Sequence, residues 1–415
     1  MADFDVVIVG AGAAGVGAAR RLAGSGLSVA IVEASARVGG RAWTLGVADL
    51  PLDLGCGWLH SAERNPWVDI AESAGFAIDR SPTSWGEQYR NLGFPAADRR
   101  AAGEAYDAFD RALREKPPRS DRAADALPAD GEWNGFIEAL SGYINGAGLG
   151  TLSVEDYLAY DDAASEVNWR VPAGYGTLVS ASLPPVALHL STPVERIAED
   201  GPALKLVTPR GDIRARSVIV TVATNVLAKG GLRLPAALDD HAHAAACLPL
   251  GLADKLFLAF DDADVPRDSH LLGKPKSACT GSYYLRPFGR PVVEVFLGGA
   301  GAMALEDVGL DGAAAFAIDE MAALLGNGVR GKLRLIAGSA WARTDGFGGS
   351  YSHALPGHHA ARAALATPWQ DRLFFAGEAC SPTDFSTAHG ALATGIAAAD
   401  AVLAQRNSIS SSIRP

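Results

Sequence analysis

The chain has few cysteines, and they form no recognisable pattern. It holds four in 415 residues, with no Cys-x-x-Cys pair among them: Cys56, Cys247, Cys279 and Cys380. A scatter of this kind argues against a zinc site or a disulfide framework, and it is typical of the reducing cytoplasm. We therefore expect a cytoplasmic protein without a bound metal.

Long apolar runs and an excess of basic residues are also missing. No stretch approaches the roughly 18 apolar residues that a membrane span requires, and Asp3 and Asp5 lie where a secretory signal would be basic. The formal net charge is −11, whereas nucleic acids bind to basic surfaces. We expect neither a membrane nor a nucleic acid as a partner. An acidic protein can, however, steer a cationic small molecule toward itself by long-range attraction.

A glycine-rich turn follows the first apolar run of the chain. The run reads FDVVIV, the turn reads GAGAAG from Gly10 to Gly15, and a second apolar run ends at Glu33. In such a motif Gly10 makes the tight turn, Gly12 lets the backbone approach a pyrophosphate, and Gly15 lets helix and strand pack closely. The helix N-terminus favours phosphate, and Glu33 is placed to bind a ribose hydroxyl. The order of these segments predicts a dinucleotide-binding unit.

The segment after Glu33 selects the cofactor. It contains Gly39, Gly40 and Arg41, and it resembles the Gly-Gly-Arg extension shared by flavin amine oxidases, protoporphyrinogen oxidases and phytoene desaturases. Adjacent glycines permit close backbone approach, and Arg41 offers a fixed cation to a pyrophosphate. NAD-dependent proteins of the Rossmann type do not generally carry this segment. The sequence therefore predicts FAD.

Length and composition indicate a globular protein of two domains. A chain of 415 residues with 48% hydrophobic and 20% charged residues exceeds one ordinary domain. Local patterns predict an exposed loop over 121–131, helices over 98–115 and 312–325, and strands over 203–208, 213–222, 255–260 and 292–297. Cofactor-type sequence returns at Gly377 and Glu378, so we expect both ends of the chain to build one site.

Over essentially its whole length the chain resembles the flavin monoamine oxidase superfamily, and within it the polyamine and spermine oxidases. The resemblance rests on blocks that occur in family order: DLGCGWLH at 53–60, VIVTV at 218–222, Leu250-Gly251 up to Lys255, Trp341 with Gly349-Ser350-Tyr351, and FSTAHGA at 385–391. It implies an α/β fold in which a Rossmann-like FAD-binding domain joins a substrate-binding domain made of a mixed sheet and helices. The flavin ring would lie at their junction.

The same resemblance divides the chain into segments. It implies a discontinuous FAD-binding domain over 1–80, 190–240 and 335–405. The substrate-binding domain would comprise 81–189 and 241–334. We expect the remaining residues, 406–415, to form a flexible tail.

The resemblance also implies roles for single residues. Lys255 would hold a water against flavin N5, and Trp341 and Tyr351 would line the flavin face. The alternative for Lys255 is a solvated lysine at the end of a strand. The alternative for Trp341 and Tyr351 is an ordinary place in the hydrophobic core. Polyamine oxidases place a histidine where His60 stands. The implied cofactor contacts come from Val194, through its backbone, and from Gly377, Glu378 and Ala388.

Five positions bear on the substrate and on how FAD is held. His60 argues against an amino acid as substrate, although Arg64 keeps that alternative open. His389 is equally consistent with a structural residue at a helix start and with a catalytic one. Ser350 stands where monoamine oxidases carry the flavin-linked cysteine, which implies noncovalent FAD. Thr387 replaces the second tyrosine of their aromatic cage, which implies a cage open on one side.

We therefore expect an enzyme that oxidises an amine with FAD, most simply a polyamine or another secondary or extended amine. The imine would be hydrolysed to an aldehyde and an amine, and O₂ would be reduced to H₂O₂. The partners would be a small-molecule amine and O₂, and the oligomeric state is left open. Two alternatives remain: a flavin oxidase of the monoamine, amino-acid or desaturase type, and a non-catalytic FAD-binding scaffold.

Overall fold

The computed structural model describes residues 2–412, with side chains described through residue 406. The strands are β1 Phe4–Val9, β2 Val29–Val32, β3 Thr44–Val47, β4 Leu50–Asp53, β5 Ala187–His189, β6 Arg196–Asp200, β7 Ala203–Val207, β8 Ile213–Val220, β9 Ala253–Phe260, β10 Ser269–Leu272, β11 Ser282–Leu285, β12 Val292–Gly298, β13 Leu333–Gly338 and β14 Leu373–Phe375. The helices are α1 Ala13–Leu22, α2 Pro66–Ser73, α3 Ala96–Glu115, α4 Asn134–Asn145, α5 Val154–Ala163, α6 Tyr175–Ala181, α7 Thr224–Ala228, α8 Asp239–Ala246, α9 Gly299–Leu325, α10 Ala361–Ala366 and α11 Ala388–Ser412.

The first sheet is built around β1 and β8. Its order is β5-β2-β1-β8-β7-β6, and β14 also pairs with β8. Strands β5, β2, β1, β8 and β14 run parallel, whereas β7 and β6 form an antiparallel extension. One face of β1 and β8 packs against α1 and α11 in a core that includes Ile8, Ile219 and Ala399. Because the central part of this sheet is covered on both faces, residues 6–9 of β1 (VVIV), 29–32 of β2 (VAIV) and 218–220 of β8 (VIV) are all apolar.

The second sheet is antiparallel, in the order β10-β11-β12-β9-β13. Side chains alternate between its two faces. One face, with Leu256, Val293 and Val295, packs against α9 in a separate core. The opposite face of β9–β12 is thereby left to line a cavity.

The architecture is the α/β fold expected from the sequence, with two local differences. Helix α9 begins at Gly299 instead of at 312, and it is broken at Gly309, whose φ is +75°. The segment 121–131 is not only an exposed loop, because a short helical turn over Ala123–Ala126 buries Ala123. The helix predicted over 312–325 is the part of α9 that follows this break.

The division into two domains stays a prediction, and two strands lie at or across its expected boundaries. Strand β5, at 187–189, pairs with β2 in the first sheet, and β13, through Gly338, pairs with β9 in the second. The expected tail, 406–415, is helical in α11 up to Ser412, and 413–415 lie outside the described residues. Within the described range, no helix has both the length and the apolar character needed to cross a bilayer.

A buried ion pair fastens α5 to the C-terminal third of the chain. The carboxylate of Asp156 accepts two hydrogen bonds from Arg362, at 2.6 and 2.8 Å, and one from His359. Asp156 and Arg362 are 0% and 1% exposed. Burial by itself would raise the pKa of Asp156, but the bonds from Arg362 and His359 outweigh it and lower the pKa to about 2.

We expect Asp156→Asn to lose about 3–5 kcal/mol of unfolding free energy, because it leaves the Arg362 guanidinium buried without a counter-charge. The ion pair stabilises the fold fully above the ordinary aspartate pKa and is lost as pH falls from about 4 toward 2. Urea unfolding at several pH values measures both effects. Asp400→Asn is the control, since its pair with Arg21 is half exposed. A small loss, equal to that of the control, would contradict the expectation.

Candidate active site

One cavity of about 1440 Å³ lies where the carboxyl ends of the parallel strands meet the free face of the second sheet. The carboxyl ends of parallel strands are the usual place for ligands in α/β folds. The candidates for cofactor and substrate contacts line this cavity, apart from Gly15: Gly10, Gly12, Glu33, Gly39, Gly40, Arg41, His60, Val194, Lys255, Trp341, Tyr351, Gly377, Glu378, Thr387 and Ala388.

The glycine-rich turn forms an open cradle at one end of the cavity. Gly10 has φ +110°, a conformation that favours glycine. A Cβ on Gly12 would meet nothing nearer than 3.9 Å, so its backbone faces free space. A Cβ on Gly15 would lie 2.0 Å from the carbonyl oxygen of Gly10, so this residue instead allows close packing of α1 on the turn. The N-terminus of α1 has no side-chain cap, which leaves its N–H groups available to a phosphate.

Two carboxylates flank this cradle. Glu33 accepts hydrogen bonds from the backbone N–H of Ala11, at 2.7 Å, and from Ser35. Glu378 pairs with Arg41 at 3.0 Å and accepts a further bond from Ser352 Oγ at 2.6 Å. Desolvation would raise the pKa of Glu378, but the charge of Arg41 and these bonds lower it. The N–H groups of the open turn and the Arg41 guanidinium fit the phosphates of FAD. The Glu33 carboxylate, which is an acceptor, fits a ribose hydroxyl.

Lys255 projects from β9 into the middle of the cavity. Its residue is 5% exposed, and its Nζ lies 2.7 Å from Glu294 Oε1. Although this is an ion-pair distance, the geometry is not that of a hydrogen bond, and the ammonium donates none to the described residues. The charge of Lys255 is thus paired with Glu294, while its N–H donors still lack acceptors, which is costly for a buried donor. An acceptor supplied from within the cavity, as the flavin and its water would be, fits this position.

Two aromatic residues are held in place by backbone carbonyls. Trp341 donates from Nε1 to Leu54 O at 3.1 Å, and its own N–H donates to Asp254, the residue before Lys255. Asp254 also accepts a bond from Ser339 Oγ at 2.7 Å. Tyr351 donates its hydroxyl to the carbonyl of a residue in α4 at 2.6 Å. The hydrogen bonds of the Trp341 Nε1 and of the Tyr351 hydroxyl therefore fix the orientation of each ring in the wall of the cavity.

Asn168 determines the protonation pattern of His60. Asn168 Nδ2 donates to the carbonyl of Glu166, so its Oδ1 is the atom 2.7 Å from His60 Nδ1. A carbonyl oxygen can only accept, hence Nδ1 carries the proton and Nε2 carries the lone pair. Burial lowers the pKa of His60 to about 4, despite the bond to Asn168. His60 is therefore a neutral acceptor at physiological pH.

The two neighbouring candidates with open roles lie outside the cavity lining. Arg64 binds both carboxylate oxygens of Asp384, at 2.6 and 3.0 Å. His389 bonds the same carboxylate at 3.2 Å through Nε2 and contacts Asn65 through Nδ1. Arg64 is thus engaged in structure and does not present its charge to a substrate carboxylate. Thr387 accepts a bond from the N–H of Gly390 and so caps the start of α11.

Several lining residues were missed from the sequence. They are Glu294 on β12, Asn168, and an aromatic wall from α3–α5 made of Tyr106, Phe136, Tyr143, Tyr157 and Tyr160. Glu294 had a local signal, because it is a lone acid within the apolar run VVEVFL. Asn168 and the tyrosines had none, since their contacts join residues far apart in the chain.

Comparisons with known proteins agree with this geometry. The profile of the family described as flavin containing amine oxidoreductase matches residues 13–83 and 64–403. Among curated relatives, the chain is 26% identical to polyamine oxidase 4 of Oryza sativa subsp. japonica, over 95% of this chain and 88% of the relative. It is 25% identical to polyamine oxidase 2 of Arabidopsis thaliana, over 95% of this chain and 87% of the relative.

Solved structures share the fold. Putrescine oxidase bound to putrescine matches with a TM-score of 0.78 at 19% identity, over 97% of this chain and 99% of that one. Cyclohexylamine oxidase from Brevibacterium oxydans matches with a TM-score of 0.78 at 19% identity, over 98% of this chain and all of that one. Since the family profile spans most of the chain, the protein belongs to the flavin-containing amine oxidoreductases and is an FAD-dependent amine oxidase.

Proposed function

We propose that the protein oxidises an extended amine, such as a polyamine or another secondary amine, to an imine. Water would hydrolyse the imine to an aldehyde and an amine, with O₂ reduced to H₂O₂. Bound FAD would accept a hydride equivalent from the carbon next to nitrogen and pass two electrons to O₂. The residues of the chain bind the amine, orient it and exclude water.

The size and lining of the cavity support an extended substrate. The cavity continues past Lys255 and Tyr351 along the second sheet and beneath α3–α5. Two exposed carboxylates in adjoining loops, Glu87 and Glu166, line it as well. They suit a chain that carries more than one positive nitrogen. With threonine at 387, the aromatic lining leaves one side open for such a chain.

His60 would position the reacting nitrogen. Its Nε2 lone pair can accept a hydrogen bond from the N–H of an amine without adding charge. A neutral imidazole also does not repel an ammonium on approach. Because a protonated amine cannot release a hydride from the adjacent carbon, the aromatic surroundings assist by favouring the uncharged amine.

The aromatic wall under α3–α5 favours a second substrate class, an arylalkyl or cycloalkyl amine. Rings such as Tyr106 and Tyr157, joined through their hydroxyls at 2.6 Å, would pack against an apolar substituent. Both classes undergo the same reaction at the same site. They differ only in what occupies the far part of the cavity.

A substrate panel separates these classes. We expect spermine, spermidine or their N-acetylated forms to reduce the flavin faster than benzylamine or phenylethylamine under anaerobic conditions, with rates that rise with pH as the amine loses its proton. Stopped-flow absorbance of the flavin gives the rates directly. Faster reduction by arylalkyl amines would favour the second class, and reaction with α-amino acids alone would exclude both.

A substitution at Asn168 tests the neutral state of His60. In Asn168→Asp a carboxylate faces Nδ1, so the pKa of His60 rises from about 4. We expect a new acid limb in the pH profile of kcat/KM, because a protonated His60 has no lone pair on Nε2 with which to accept a hydrogen bond from the amine. Asn168→Leu, which removes the bond without adding charge, should lower kcat/KM at all pH values. Identical profiles for wild type and Asn168→Asp would contradict the role of His60.

The attachment of FAD is tested by denaturation. Ser350 has a hydroxyl in place of the thiol that a covalent bond to the flavin would require. Its Oγ donates to Ala253 O and accepts from Ala253 N–H. Cys56 also lines the cavity, but burial raises its pKa to about 12 and keeps it a poorly nucleophilic thiol. We expect acid precipitation to release all flavin into the supernatant. Flavin that stays with the polypeptide in wild type but not in Cys56→Ala would locate a covalent bond.

A further inference from the structure

The cavity face of the second sheet carries two rows of side chains in strand register. One row joins Lys255 to Phe296 and then to Ser282 and Leu272 across neighbouring strands. The next row joins Glu294 to Tyr284 and His270. Within this face Glu294 is the acidic residue, and it stands one row from Lys255. All seven side chains line the cavity.

The pair formed by Lys255 and Glu294 is largely shielded from solvent. The two side chains are 7% and 20% exposed, and Nζ and Oε1 lie 2.7 Å apart. The ammonium of Lys255 lies close over Gly57, where an added Cβ would be only 2.9 Å from Nζ, so the glycine leaves the space that this side chain occupies. Two other charged groups act on this pair: Asp53 interacts electrostatically with Lys255, and Arg290 interacts with both Asp53 and Glu294.

A carboxylate in an apolar strand is unfavourable unless it is paired. The run VVEVFL supplies no partner of its own, since Val293 and Val295 face the other core. Lys255 supplies the partner at contact distance. In surroundings of low dielectric, a charge pair of this kind presents a much smaller net field to a third group than the lysine would present alone.

We propose that Glu294 offsets the charge of Lys255 and thereby lowers the electron affinity of the bound flavin. The flavin gains negative charge on reduction, so a nearby cation favours the reduced form and a nearby anion opposes it. Glu294 is thus a positioning residue that acts through Lys255. The inference rests on bound FAD and is independent of which amine is oxidised.

The test is a double-mutant cycle read out as the reduction potential of the bound flavin. Wild type, Lys255→Met, Glu294→Gln and the double variant are titrated at equilibrium against a reference dye, with no amine present. We expect Glu294→Gln to shift the potential in the positive direction and Lys255→Met to shift it in the negative direction. The double variant, which lacks both charges, should return close to wild type.

Opposite shifts that cancel cannot arise from a structural role alone. An unchanged potential in Glu294→Gln, or shifts of the same sign in both single variants, overturns the proposal. Glu294→Asp retains the negative charge, so its flavin potential should stay near that of wild type. If the Glu294→Gln variant does not bind FAD, Glu294→Leu takes its place in the cycle. Glu87→Gln is the matched control: it removes an exposed carboxylate from the same cavity and should leave the potential unchanged.

Discussion

A chain of largely buried polar contacts joins α5, the C-terminal segment and the N-terminal cofactor segment around the cavity. It runs from Asp156 in α5 to Arg362 in α10, then through Ser352 Oγ to Glu378 and finally to Arg41 in the glycine-rich extension. A buried charge without its partner is strongly destabilising, so these contacts require segments far apart in sequence to assemble together. The two sheets supply the walls, and this network fixes how the C-terminal segment, α5 and the N-terminal cofactor segment meet.

Local motifs were sufficient to predict the cofactor end of the site. Gly10, Gly12 and Gly15 have roles set by backbone conformation within a few residues, and such roles are readable in a single sequence. The order of the family blocks added Lys255, Trp341 and Tyr351, and the structure brings all three to one cavity. The α/β architecture followed from the same signals.

The other end of the site could not be predicted in this way. Asn168 reaches His60 across 108 positions of sequence, and Glu294 reaches Lys255 only because β12 and β9 are adjacent in the second sheet. Alternation along a strand tells which residues share a face, but it does not tell which strand lies alongside. Arg64 shows the converse: its proximity to His60 in sequence suggested a substrate contact, yet Asp384 binds it.

Asp254 and Lys255 are consecutive residues whose side chains point to opposite faces of β9. Asp254 holds the segment that bears Trp341, and Lys255 faces the cavity. The backbone of Lys255 and the segment that bears Trp341 are therefore held together through one peptide unit and one hydrogen bond. The remaining walls, on β10–β12 and α3–α5, are free of this constraint. Substitutions in those walls can therefore change the substrate preference, in evolution or in the laboratory, while the arrangement of the Lys255 and Trp341 segments stays the same.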